Sequence, residues 1–72
     1  MRSLRVPPLS PEQQAELEAV YRKTKDPRVR TRAQMVLLSA EQGLAAVDIA
    51  PIVREDRSTV WRWLKRYLIR LR

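Results

Sequence analysis

The fold is decided by the stretch from Ala45 to Leu68, AAVDIAPIVREDRSTVWRWLKRYL. As far as Val53 it is uncharged apart from Asp48, and its apolar residues recur at three-and-four spacing, the mark of one helical face. This predicts a short helix over Ala46 to Val53, with Ile49, Ile52 and Val53 facing inward and Ala50 permitting close approach. Pro51 lies inside it, removing one backbone donor and crowding the preceding turn, so a kinked or partly three-ten helix is expected. Arg54-Glu55 reads as a tight turn and Asp56 as the cap of a longer helix running from Arg57 towards the C-terminus.

On a wheel of about 100° per residue, that last helix divides in two. Trp63, Tyr67, Val60, Leu71, Leu64, Leu68 and Trp61 fall on one continuous arc. Thr59, Arg66, Arg62, Ser58 and Lys65 fall on the other, with Arg70 and Arg72 at its margins and Ile69 amid the charges. Trp61 and Trp63 therefore read as packing anchors at the two edges of a core, with their indole N–H groups free to meet water or a phosphate. Stacking platforms for single-stranded bases usually sit on sheets, and no period-two strand pattern occurs here.

Two more helices precede this pair. Ser10-Pro11-Glu12-Gln13 carries a cap, a proline suited to the first helical position and a Gln where a capping box wants one. The helix it starts runs to about Lys23, with Leu17, Val20 and Tyr21 on its apolar face. Glu12, Glu16 and Glu18 lie off that face and read as solvated partners of the helix dipole. Asp26-Pro27 repeats the start signal for a helix to about Gln42, with Val29, Ala33, Val36, Leu37 and Ala40 as its buried stripe, widened by Met35 and Leu38. Gly43, the only glycine, falls where a helix end needs a left-handed residue. Residues 1–9, with Pro7-Pro8 and no periodicity, read as a flexible arm whose Arg2 and Arg5 could meet a phosphate or a minor groove. The expectation is an all-α, small four-helix domain over residues 10–72, behind a 1–9 arm.

Seventy-two residues allow one modest core. With no cysteine there is no disulfide or thiolate metal site, and with no histidine the commonest metal ligand and neutral-pH base are both missing. No metal and no other cofactor is expected. No stretch is long enough to span a bilayer, and the opening MRSLRVPPL lacks the apolar segment of a secretory signal, so a cytoplasmic protein is expected. The net charge of +7 is uneven: residues 1–21 carry −1, 22–32 carry +5, 33–53 carry −2 and 54–72 carry +5. Two basic clusters flanking a middle without Lys or Arg suit a polyanionic partner.

A short helix, a tight turn and a basic helix make the layout of a helix-turn-helix, whose second helix fits the major groove of double-stranded DNA. Arg57, Ser58, Thr59 and Arg62 occupy the outward positions of the first turn and a half, where base edges are reached, and Arg57 or Arg62 could grip a guanine edge with two hydrogen bonds. Lys65, Arg66 and Arg70 lie further along, for phosphates, and Arg28, Arg30 and Arg32 offer backbone contacts on the flank. Any single arginine among these is as readily an ordinary solvated charge; the clustering is what argues for a surface. A second class of function is a helical interaction or dimerisation module using Ile69 and the apolar tail. A third is a membrane-surface helix, which the caps and core stripes of a folded domain argue against. No glycine-rich phosphate loop occurs, and Asp26 and Asp56 read as caps, so an enzyme is not expected.

The stretch RVRTRAQMVLLSAEQGLAAVDIAPIVREDRSTVWRWLKRYL resembles the N-terminal DNA-binding region of bacterial insertion-sequence transposases related to the mariner superfamily, and LSPEQQAELEAVYRKTKDP resembles their first helix. The resemblance spans about residues 9–68 and implies a homeodomain-like helical module that recognises the element's terminal inverted repeats. By position it assigns Arg57, Ser58, Thr59 and Arg62 to base reading, and Val60 and Leu64 to the core. The family's catalytic domain, with its metal-binding Asp-Asp-Glu set, and its second helical subdomain lie outside these 72 residues, so cutting of DNA by them is not expected. Glu55-Asp56 replaces the small apolar-plus-hydroxyl pair the family implies in the turn, setting a carboxylate where a phosphate would approach. So small a monomer would bind weakly, and a homodimer would supply the second module that specific sites usually need.

Overall fold

The computed structural model describes residues 4–70, with side chains through residue 69. Four helices follow one another: α1 (Pro11–Lys23), α2 (Pro27–Gln42), α3 (Ala46–Val53) and α4 (Arg57–Arg70). The start signals act as the sequence implies. At α1 the capping box is complete: Gln13 N–H donates to Ser10 Oγ at 3.2 Å and Ser10 N–H to Gln13 Oε1 at 3.1 Å. At α2, Arg28 N–H donates to Asp26 Oδ1 at 2.9 Å. Gly43 ends α2 at φ 66°, ψ 25°, the left-handed conformation that glycine adopts without a Cβ penalty.

The core lies where α2, α3 and α4 meet. Met35, Val36 and Ala40 of α2, Ala46, Ile49 and Ala50 of α3, and Val60 and Leu64 of α4 are buried together. Ile49, Val60 and Leu64 have no exposed surface, so α3 and α4 are pinned by full side-chain burial, each worth about 1.5–3 kcal/mol relative to exposure.

Several sequence expectations are corrected here. Residues 4–9 do not behave as a free arm. Val6 is 2% exposed within the core, its N–H donates to Ser39 Oγ at 2.8 Å, and the Arg5 guanidinium donates to Gly43 O at 2.8 Å. Ser39 is wholly buried and gives Val6 N–H its partner, which is how α2 accepts a polar residue on its inner face. Residues 1–3, Arg2 among them, lie outside the described residues. Met35 is more deeply buried than Leu37, because the core-facing stripe of α2 runs through Met35, Val36, Ser39 and Ala40.

Ile52 is exposed, not inward-facing: α3 buries Ala46, Ile49 and Ala50 with Val53 half-buried beyond them, and Ile52 points off that face. α3 also stays α-helical through Pro51. The donor that proline lacks would have met the carbonyl of Val47, a residue 56% exposed, where water is at hand. Trp61 falls outside the core as well. The arc covered by α2 and α3 takes in Trp63, Tyr67, Val60, Leu64 and Leu68 and stops short of it.

Candidate nucleic-acid interface

The joint between α3 and α4 positions the site. Arg54, at φ 58° and ψ 43°, is the one non-glycine residue with a left-handed backbone among those described, and its N–H donates to Ala50 O. Glu55 N–H closes back on the same carbonyl at 3.1 Å. These two bonds end α3 sharply, as a Schellman-type stop does. Asp56 then opens α4: Ser58 N–H donates to its Oδ2 at 3.1 Å and Val60 N–H to its carbonyl at 3.1 Å. With Val60 and Leu64 buried against Ile49, the rotation of α4 is fixed, and its other face must point outward.

That outward face carries the residues read from the sequence. Arg57, Ser58 and Arg62 are exposed and Thr59 is half-buried. Lys65 and Arg66 follow, also exposed. Among the described residues the ion pair within 4 Å is Arg22–Glu18 on α1, at 3.4 Å, so no carboxylate neutralises the α4 cations. The side chain of Arg70 lies outside the described residues.

The flanking arginines of α2 have three different surroundings. Arg28 is exposed and lines a cleft with Thr31, Glu55 and Thr59, where the first turn of α2 meets the α3–α4 turn. The Arg30 guanidinium donates to Thr24 O at 2.7 Å, holding the C-terminal cap of α1. Arg32 is half-buried, its Cζ 3.5 Å from the centroid of the Trp63 ring. The Cζ of Arg66 stands 5.0 Å from the same centroid. Of the three, Arg28 is the one presented outward on this side, while Arg30 and Arg32 bind their own chain.

Two features were not found by sequence reasoning. One is the cation–π contact between Arg32 and Trp63, which joins α2 to α4 across 31 positions and leaves no local signal. The other is the placement of Glu55, which lines the cleft beside Arg28, while Asp56 caps α4 as its place in the sequence implies. The side chains of this face offer mostly N–H and O–H donors, the chemistry that meets phosphate oxygens and base acceptors. Among the described residues no cluster of three His, Cys, Asp or Glu is placed to hold a metal, and no helix is long and apolar enough to cross a membrane.

Comparison with known proteins gives a family match. Residues 26–71 fit the model of a homeodomain-like domain, a helix-turn-helix family whose membership suggests a DNA partner. The matched stretch takes in α2, α3 and α4 and leaves α1 outside it. Neither the curated proteins nor the solved structures give a match. With its three core helices, its left-handed turn and its basic last helix all inside the matched stretch, the chain belongs to the homeodomain-like helix-turn-helix family.

Proposed function

We propose that this chain binds double-stranded DNA, laying α4 in the major groove, and that it serves as the end-recognition module of an insertion-sequence transposase or a shortened relative of one. The observation that carries the binding is the outward face of α4, where Arg57, Arg62, Lys65 and Arg66 stand exposed with no carboxylate within 4 Å among the described residues. Arg57, Ser58, Thr59 and Arg62 would meet base edges, and Lys65, Arg66 and Arg28 would meet phosphates. The transposase assignment rests on the sequence resemblance over residues 9–68. Binding, with no cleavage by these residues, is the activity proposed.

The test is selection of a site from a randomised duplex library, followed by titration of that site and of random duplex at several salt concentrations. Binding through about 4–6 phosphates gives a log–log salt slope of about −4 to −5. Arg62→Ala should weaken the selected site by about 1–3 kcal/mol and random duplex far less. Arg28→Ala should reduce the slope by about 1. Arg32→Ala should leave the slope unchanged, because that guanidinium is stacked on Trp63. Glu55→Gln should strengthen binding, since its carboxylate lines the cleft beside Arg28. Absence of any salt-dependent duplex binding would sink the reading. Selection that enriches the terminal inverted repeat of an insertion sequence would support the transposase role, and enrichment of an unrelated motif would count against it.

A further inference from the structure

α1 and α4 both lie against α2, yet among the described residues no Cα of α1 comes within 8 Å of a Cα of α4. Directly packed helices have axes only about 8–10 Å apart, so these two straddle α2 and leave a groove between them, about 390 Å³ in volume. Its floor is Val29, Ala33 and Val36, at i, i+4 and i+7 along α2, with the small Ala33 between the two valines. Leu17 and Val20 form one wall, and Trp63 and Tyr67 the other.

The groove is apolar and incompletely covered. No residue of α1 is buried, and Val20 is 41% exposed. Its rim is charged in one sense where Arg32 and Arg66 line it, with both guanidiniums over the Trp63 indole and no carboxylate within 4 Å of either. Two like charges set against one ring favour an anion between or beside them. Glu16 lies near Tyr67 and puts one negative charge on that part of the rim. An occupant's carboxylates must therefore face the Arg32–Arg66 side.

We propose that this groove is the docking site for an acidic amphipathic helix of a partner protein, and that the docked helix competes with nucleic acid for Arg66. With Ala33 and Val36 already buried at its bottom, the surface left to an occupant is Leu17, Val20 and Val29 against the Trp63 and Tyr67 rings, a slot flanked by two helices that suits the apolar face of a third. The guanidinium pair selects carboxylates beside them. A second copy of this chain fits less well, because two molecules of net charge +7 repel. Arg66 also lines the outer surface of α4 with Arg62 and Lys65, so a carboxylate held there takes a cation from the face assigned to DNA. The competition rests on the DNA reading; the docking does not.

The probe is a fluorescein-labelled 16-residue peptide with leucines at i, i+3, i+4 and i+7 and glutamates on its other face, followed by anisotropy. Saturable one-to-one binding is expected, weakened at least tenfold when leucines become alanines, and lost in a twin with lysines for glutamates. Val20→Asn should cost at least fivefold on the peptide and less than twofold on duplex DNA. Arg66→Gln should weaken both, and Ile69→Asn, outside the groove, should change the peptide by less than twofold. Unlabelled peptide should displace duplex from the native chain and not from Val20→Asn. Val29→Ala is the second groove variant, and thermal unfolding of each variant confirms its fold. Absence of saturable binding, equal binding of the lysine twin, or indifference to both groove variants overturns the proposal. So does a dimer in sedimentation that Val20→Asn dissolves, since that assigns the groove to a second copy. Peptide binding without any duplex binding would leave the docking standing and remove the DNA reading.

Discussion

α1 and α4 are both amphipathic, both lie on α2, and they differ sharply in what they surrender to the core. α4 gives up Val60 and Leu64 entirely and half-buries Trp63, Tyr67 and Leu68. α1 buries nothing completely, and Val20 and Tyr21 of its apolar face stay exposed. α1 is held by the half-buried Leu17 and by polar contacts at its surface: the Arg30 bond to Thr24 O, and Gln14 Nε2 donating to Glu41 Oε1 at 2.9 Å. α4 is tied down by hydrocarbon. The lesson is that an apolar stripe tells which way a helix turns, while the elements around it decide how much of the stripe is covered. The family match draws the same line, since α4 lies inside it and α1 outside.

The strongest test of this contrast is a pair of truncations. Leu64→Ala should cost about 2–5 kcal/mol, because a fully buried leucine leaves a cavity behind. Leu17→Ala, at a half-buried site on α1, should cost well under half of that. Chemical denaturation of both variants measures the difference, and equal losses would erase the distinction.

The next effect concerns the N-terminal segment. Ser39→Ala leaves the N–H of a buried Val6 without its acceptor and should cost about 1–3 kcal/mol. Hydrogen exchange at Val6 should rise together with the drop in stability. No change in either would mean that Val6 is held by packing alone.

Smaller, and opposite in sign, is the turn before α4. Arg54→Gly should stabilise the fold by up to about 1 kcal/mol, because a side chain at φ 58° pays a Cβ penalty that glycine escapes. The expected readout is a rise in Tm with far-UV circular dichroism unchanged.

The smallest effect bridges the two helices. Desolvation of the Tyr67 phenol, with the nearby Glu16 carboxylate second, raises its pKa above 10.0. The neutral phenol is the form the fold prefers. Stability is therefore unaffected below the pKa of the unfolded phenol and declines once the pH passes it, where the unfolded chain ionises first. Ultraviolet titration of a Tyr21→Phe variant should place the Tyr67 midpoint above 10.0, and adding Glu16→Gln should lower it. A midpoint insensitive to Glu16 would mean that α1 and α4 do not sense each other across the groove.

Much of this fold could be read from the residues because its boundaries are set by local chemistry. Ser10, Asp26 and Asp56 each cap a helix with their own side chain, and Gly43 ends one by its backbone freedom. Val60 and Leu64 fell on the core arc by periodicity alone. What was illegible depends on distant partners. Residues 4–9 look like a loose leader until Ser39 is seen facing Val6. Arg32 looks like its neighbours until Trp63 comes beneath it. Ile52 and Trp61 sit at the ends of their apolar arcs, and only the extent of the neighbouring helices decides that they stay outside. For the candidate interface, the outward set of Arg57, Ser58, Arg62, Lys65 and Arg66 was readable, whereas the sorting of Arg28, Arg30 and Arg32 was not.

Trp61 and Trp63 stand two positions apart on one helix, yet Trp61 is 39% exposed, with Lys65 Nζ 4.8 Å from its ring centroid, and Trp63 is half-buried beneath Arg32. The molecule thus carries two fluorophores that report from different media. Emission from Trp61 should lie further to the red and yield readily to a neutral quencher such as acrylamide, while Trp63 should be quenched less until the bundle opens. Replacing either indole with phenylalanine would give a single-colour sensor, one for whatever approaches the last helix and one for the integrity of the fold beneath it.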